Sequence, residues 1–203
     1  MAFYPILIEL EKAPVLVAGG GKIALHKAQL FMDQGADVTV VAPEVCAEIE
    51  ELGVRIEKRK ICAEDAEGRM IVADATGDPE AERILSEACK RAHIPYICAG
   101  NGELCTAVLP AVYSKGRTVV AVSSRGASPA ASARLRDILA EHVPENMDGI
   151  LDAMAECRKI AKESFSAQPV RREYLHRCLD AMLKAGQPIG RDEMLLIRDK
   201  ITI

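Results

Sequence analysis

The sequence predicts an α/β protein: a Rossmann-like N-terminal domain, a small strand-and-helix region and a helical C-terminal region. Three observations predict it. Short β-branched runs alternate with amphipathic stretches over the first half, as in βαβ units with a mainly parallel sheet. The first run enters Gly19-Gly20-Gly21 directly, and the pattern after about Pro144 is almost wholly helical. The expected divisions are 1–110, 111–145 and 146–203.

The elements follow in order. Pro14 to Ala18 is a strand. From Ile23 to Gln34, the apolar positions Ile23, Ala24, Ala28, Leu30 and Phe31 suit a helix lying on a sheet, ended by Gly35. Asp37 to Val41 is the next strand, and Pro43 stops it. Val54 to Glu57 and Met70 to Ala75 read as strands, Glu80 to Ala92 as a helix and Ile94 to Ala99 as a strand that closes at Gly100-Asn101-Gly102. Val108 to Tyr113 and Thr118 to Val122 flank a turn at Lys115-Gly116. Ser128 then caps a helix through Ala130 to Glu141, with Pro129 at the first helical position, where no N–H is needed. The tail is helical, with breaks expected at Gln168-Pro169 and at Gly186 to Gly190.

Composition bounds the function. Net charge is −4, Trp is absent and aromatics are 3%, which argues against bulk nucleic-acid binding and base-stacking platforms. No apolar run is long enough to span a membrane, and no signal-peptide pattern opens the chain. The seven cysteines include no Cys-x-x-Cys pair and read as reduced, mostly buried thiols of a cytoplasmic protein. The four histidines are scattered, so no metal site is expected from spacing.

Gly19-Gly20-Gly21-Lys22-Ile23-Ala24 fits G-x-G-x-x-G/A between a strand and a helix, the dinucleotide-binding pattern. Gly19 permits the tight turn, Gly21 lets a pyrophosphate approach the backbone, and Ala24 allows close helix–sheet packing. Lys22 and Ile23 start the helix whose free N–H groups face the phosphates. Pro43 and Glu44 border the adenosine side, and Thr76 should border the same crevice. No Arg follows the second strand to recruit a 2′-phosphate, so NAD is favoured over NADP. Ser123-Ser124-Arg125-Gly126-Ala127-Ser128-Pro129 is a second loop of anion-binding character, in which Ser124, Arg125 and Ser128 would meet carboxylates. The small residues Ala130 to Ala133 after it suit close packing, in the core or against a second copy.

Together several of these segments resemble the precorrin-2 dehydrogenase family, which also forms the N-terminal part of siroheme synthases. The resemblance rests on Tyr4-Pro5-Ile6, the glycine turn with Ala24 and Lys27, Val38 to Pro43, Thr76 with Asp78-Pro79-Glu80, Glu103-Leu104-Cys105, Pro110, Ser123-Ser124 with Gly126, Ser128-Pro129, Arg134-Leu135-Arg136 and Arg171-Arg172. It covers roughly residues 3–180. It implies NAD-dependent oxidation of precorrin-2 to sirohydrochlorin, in some members with Fe²⁺ insertion, by an intertwined homodimer. It also implies that Arg171 and Arg172 help Arg125 to hold the substrate's carboxylates. At 203 residues no fused methyltransferase is expected, so a separate uroporphyrinogen methyltransferase is the expected pathway neighbour.

The main departure from the family is Gly100, where an acid/base Asp is usual. Lesser ones are Gly77, where an acidic or amide residue is common, Glu82, where Asn is common, and Arg125, where Gly is common. Glu103 and Asp78 are the nearby candidates to act as base in its place. Restoring the acid by Gly100→Asp is expected to raise proton-transfer-dependent activity. Two rival readings are a ferrochelatase or tetrapyrrole carrier without the redox step, and a nucleotide-sensing regulatory module.

Overall fold

The computed structural model describes residues 3–201. The chain divides between Leu109 and Pro110 into two compact units.

The N-terminal unit is a five-stranded parallel sheet. It comprises β1 (Pro14–Ala18), α1 (Lys22–Met32), β2 (Asp37–Val41), α2 (Ala47–Glu51), β3 (Arg55–Glu57), β4 (Ile71–Asp74), α3 (Pro79–Ala92) and β5 (Tyr96–Cys98). The strand order is β3-β2-β1-β4-β5, that of a Rossmann half-sheet continued by two further strands. Its central strands β1, β2 and β4 are mostly apolar because both faces are covered. Val15 and Val17 pack with Ala24, Ala28 and Phe31 of α1 on one face. Leu16 and Ala18 pack on the other with Leu85, Ala88 and Cys89 of α3. The chain reverses from β1 to the β4 side of the sheet here, and the carboxyl ends of β1 and β4 open the crevice where ligands bind in such sheets.

The C-terminal unit holds an antiparallel ribbon, β6 (Ala111–Lys115) and β7 (Thr118–Val122), followed by α4 (Pro129–Ala140). Three helices come next: α5 (Met147–Ser164), α6 (Gln168–Ala185) and α7 (Arg191–Asp199). Ile150, Met154, Cys157, Ile160, Tyr174, Cys178 and Met194 form their core. Arg117 at the ribbon turn ties the ribbon to α5, bonding the Asp148 carbonyl at 2.8 Å and the Asp152 carboxylate at 2.7 Å.

Several expectations need correction. Ile23 does not face the sheet: it is 56% exposed, in the first turn of α1 at the crevice mouth, while Ala24, Ala28 and Phe31 carry the packing. Gln168 and Pro169 do not break the tail. They begin α6, because Pro needs no N–H in a first turn, and the break lies at residues 165–167. The first ribbon strand starts at Ala111, not Val108, since its register is set from the Gly116 turn. The helix α2 was not foreseen: with five residues and Ile49 as its one buried side chain, it carries almost no periodic signal.

Candidate functional site

The glycine turn builds one wall of the crevice, and its three glycines have three different causes. Gly19 has φ +110°, and a Cβ there would lie 2.6 Å from the Ala75 carbonyl oxygen, so the turn can press against the end of β4 only with glycine. Gly20 is packed just as tightly on the other side: a Cβ would overlap the Glu44 carbonyl at 1.8 Å, and the Gly20 carbonyl accepts from Cys46 N–H at 2.8 Å. Gly21 is the opposite case. It is the N-cap of α1, with no side-chain cap, and nothing stands within 4 Å of where its Cβ would be. That open space in front of a helix N-terminus is the cradle a pyrophosphate fills, so these residues fit a dinucleotide. Lys22 and Ile23 follow, both exposed, and Pro43 and Glu44 are exposed on the β2 side. Ala24 is fully buried, as close helix–sheet packing requires.

At the carboxyl ends of β4 and β5 lies a buried polar cluster. Asp74 is 2% exposed; its Oδ1 accepts from Thr76 N–H at 2.9 Å and from the Thr76 hydroxyl at 2.7 Å. Its Oδ2 accepts from the Tyr96 hydroxyl at 2.8 Å. Burial, reinforced by this bond to Asp74, pushes the Tyr96 phenol well above its ordinary value. Burial beside the Asp74 charge likewise pushes the Cys89 thiol up to about 11. Thr76 sits just past the end of β4, with its hydroxyl held by Asp74.

The two candidate bases lie elsewhere in this region. Asp78 is exposed and serves as N-cap of α3, accepting from Glu80 N–H at 3.0 Å. Glu103 is exposed on a single 3₁₀ turn, Gly102–Leu104, whose cap is Asn101. The buried carboxylate of the β5 side is instead Glu82, 8% exposed on the first turn of α3. A Cβ on Gly100 would lie 2.5 Å from Glu82 Oε1, so the Glu82 carboxylate fills the space a side chain at position 100 would take. Gly100→Asp by itself would bring two carboxylates into contact, and the expectation of a simple gain is withdrawn.

Sequence reasoning missed Asp74 and passed over Glu82 as a minor departure. Both carry a legible signal. Asp74 ends an otherwise apolar run, Ile71-Val72-Ala73. Glu82 shares the inward face of α3 with Leu85, Ser86 and Cys89, an acid where the periodicity asks for an apolar residue.

In the C-terminal unit, the loop before α4 is tightly self-bonded. Ser124 Oγ accepts from Ser128 N–H at 2.9 Å and donates to the Ser128 carbonyl at 3.0 Å. Ser128 Oγ caps Ala131 N–H at 3.2 Å. These hydroxyls hold the loop's shape and leave Arg125 exposed. Arg125 itself sits at φ +54°.

Arg171 and Arg172 come together on α6, on an element separate from that loop. With Arg158, Lys162 and His176 they surround a groove of about 380 Å³ floored by Met154 and Leu175. Arg171 is oriented by its bond from Nε to the Phe165 carbonyl at 2.7 Å. Among the described residues, no three His, Cys, Asp or Glu side chains gather as metal ligands, and no helix is long and apolar enough to cross a membrane.

Comparison with known proteins agrees with this geometry. A family profile described as "putative NAD(P)-binding" matches residues 6–111. A siroheme synthase of Nitrosospira multiformis is 32% identical over 201 residues, covering 95% of this chain and 43% of its own length. One of Methylococcus capsulatus is 30% identical over 184 residues, 89% of this chain and 39% of its own. The chain thus spans about two fifths of the length of these curated relatives. The solved structure of SirC, a precorrin-2 dehydrogenase, superposes with a TM-score of 0.66 at 27% identity, over 98% of both chains. The chain belongs to the NAD(P)-binding family and is a relative of the siroheme synthases and of precorrin-2 dehydrogenase.

Proposed function

We propose that the protein oxidises precorrin-2 to sirohydrochlorin with NAD⁺, as a homodimer in the cytoplasm. The observation that carries the redox half of this reading is Gly21, open in front of an uncapped helix N-terminus within a crevice of the right topology. The likeness to SirC along nearly its whole length supports the choice of substrate.

Bound NAD⁺ supplies a hydride acceptor. The protein's own groups do the holding: the N–H groups from Gly21 to Ile23 meet the pyrophosphate, with Lys22 beside them. Pro43 and Glu44 border the adenosine, and Thr76 lines the β4 side. NAD rather than NADP fits the cations near the end of β2. Arg59 is occupied by Asp65 and Glu57, and Lys58 by Glu50, so neither stands ready for a 2′-phosphate.

A tetrapyrrole bearing eight carboxylates needs local positive charge despite the chain's net −4. Arg125, and the groove with Arg158, Lys162, Arg171 and Arg172 over an apolar floor, provide it. A separate uroporphyrinogen methyltransferase supplies the substrate. The test is direct: purified protein with NAD⁺ and precorrin-2 should form NADH and sirohydrochlorin together. No NADH above background would overturn the reading.

A further inference from the structure

The geometry points to Glu82 as the proton-accepting residue of this reaction, its carboxylate delivered from α3 into the space left open by Gly100. The inference rests on the dehydrogenase reading and deepens it.

Three buried carboxylates occur among the described residues of the N-terminal unit, and two are fully employed. Asp65 is neutralised by Arg59 at 2.5 Å, and Asp74 accepts two bonds from Thr76 and one from Tyr96. Glu82 has no cation partner among the described residues, although it is nine-tenths buried. An acid in that state costs free energy to keep, and α3 keeps it on the face that would otherwise carry an apolar side chain.

Its placement follows from the topology. The helix starts where β4 ends, so its first turn overhangs the end of the adjacent strand β5. Glu82 thereby reaches across to the exposed loop at Gly100. Beside it stands the Cys98 thiol on β5, pushed up chiefly by burial, and the Tyr96 hydroxyl, bound to Asp74 on β4, reaches the Glu82 backbone carbonyl at 3.3 Å. Asp78 precedes it on its own element, engaged as the cap. None of these has a free carboxylate aimed at the loop.

Gly100 does not have left-handed backbone, so what the position requires is space, and Glu82 occupies it. Chemically, the oxidation removes two hydrogens. One leaves with its electron pair to the nicotinamide ring of NAD⁺. The other leaves the macrocycle as a proton, which Glu82 Oε1 takes and passes to water. The electron pair of that second bond stays in the ring system as the new double bond.

The experiment compares wild type, Glu82→Gln, Gly100→Ala and the exchange Gly100→Asp with Glu82→Asn. Glu82→Gln should lower turnover by about 100-fold or more and remove the acidic limb of the pH profile, with NAD⁺ affinity unchanged. Gly100→Ala should fold normally and lose turnover as well, because the new Cβ pushes the Glu82 carboxylate aside. The exchange, which returns a carboxylate to the same space from the other element, should recover about tenfold over Glu82→Gln.

A second readout does not depend on turnover. The absorption spectrum of bound sirohydrochlorin should differ between wild type and Glu82→Gln at one fixed pH, because the carboxylate beside the macrocycle becomes an amide. Wild-type turnover and pH profile in Glu82→Gln, or identical spectra of bound sirohydrochlorin in the two proteins, would overturn the role of Glu82. A wild type that formed no NADH would overturn the dehydrogenase reading, and the spectra would still decide for or against Glu82.

Discussion

Neighbouring glycines in one turn answer to different physics, and substitutions can separate them. At Gly20 a methyl group meets the Glu44 backbone, which cannot swing away. Gly20→Ala should therefore destabilise the N-terminal unit by about 1–3 kcal/mol in urea unfolding, in line with overpacking elsewhere. At Gly21 a side chain meets nothing in the protein. Gly21→Val should leave the unfolding midpoint in place and weaken NAD⁺ binding by about tenfold or more, measured by calorimetric titration, because it fills the phosphate cradle. Equal stability losses in both variants would contradict the assignment. The spacing of the motif, and its place between a strand and a helix, were legible in the sequence. That Gly20 is held by the loop after β2 was not, since Glu44 approaches it only once the sheet has formed.

Between β3 and β4, order depends on one ion pair. Arg59 forks onto Asp65 at 2.9 and 2.5 Å and reaches Glu57 as well, while Asp65 also accepts Cys62 N–H at 2.8 Å. Burial alone would raise the Asp65 carboxyl, but the Arg59 guanidinium and the Cys62 N–H outweigh it and hold the group below the usual carboxylate range. Its folded form binds protons less readily than its unfolded form. The resulting stability is in full effect above the ordinary Asp value, and it is lost as pH falls through the lower folded value. Asp65→Asn should cost about 1–3 kcal/mol at neutral pH, the solvent-exposed side of Arg59 keeping it from the upper end for buried pairs. The difference from wild type should shrink at strongly acidic pH, as followed by circular dichroism; a constant difference down to full protonation would refute the clamp. The strand β4 that follows it could be read from its apolar run, since a parallel strand inside the sheet is covered on both faces. The clamp could not, because nothing in the spacing of Arg59 and Asp65 distinguishes it from a solvated charge pair.

On the scale of the whole molecule, the ribbon β6–β7 is incomplete as an independent structure. Two strands rarely suffice in water, and here one ribbon face is covered by α4 while the other exposes Val112 and Val119. The outer face of α4 exposes Leu135, Ile138 and Leu139. This is the surface on which the proposed homodimer would form, and Val119→Lys with Leu135→Glu should shift the protein to monomers by light scattering, with NAD⁺ affinity retained. A wild type that is monomeric at micromolar concentration would remove the proposal. The sequence by itself determined the order of the strands and of the longer helices, the glycine turn and the Ser128 cap, because each depends on local periodicity, turn chemistry or hydrogen bonds a few residues apart. Only the tertiary structure decided which acid faces the reactive end of the crevice. Glu103 is the acid nearest to Gly100 along the chain and Asp78 belongs to the motif at the end of β4, yet Glu82 fills the space at Gly100. A parallel crossover lays the first turn of one helix over the end of the next strand, and that contact between distant residues has no local signature.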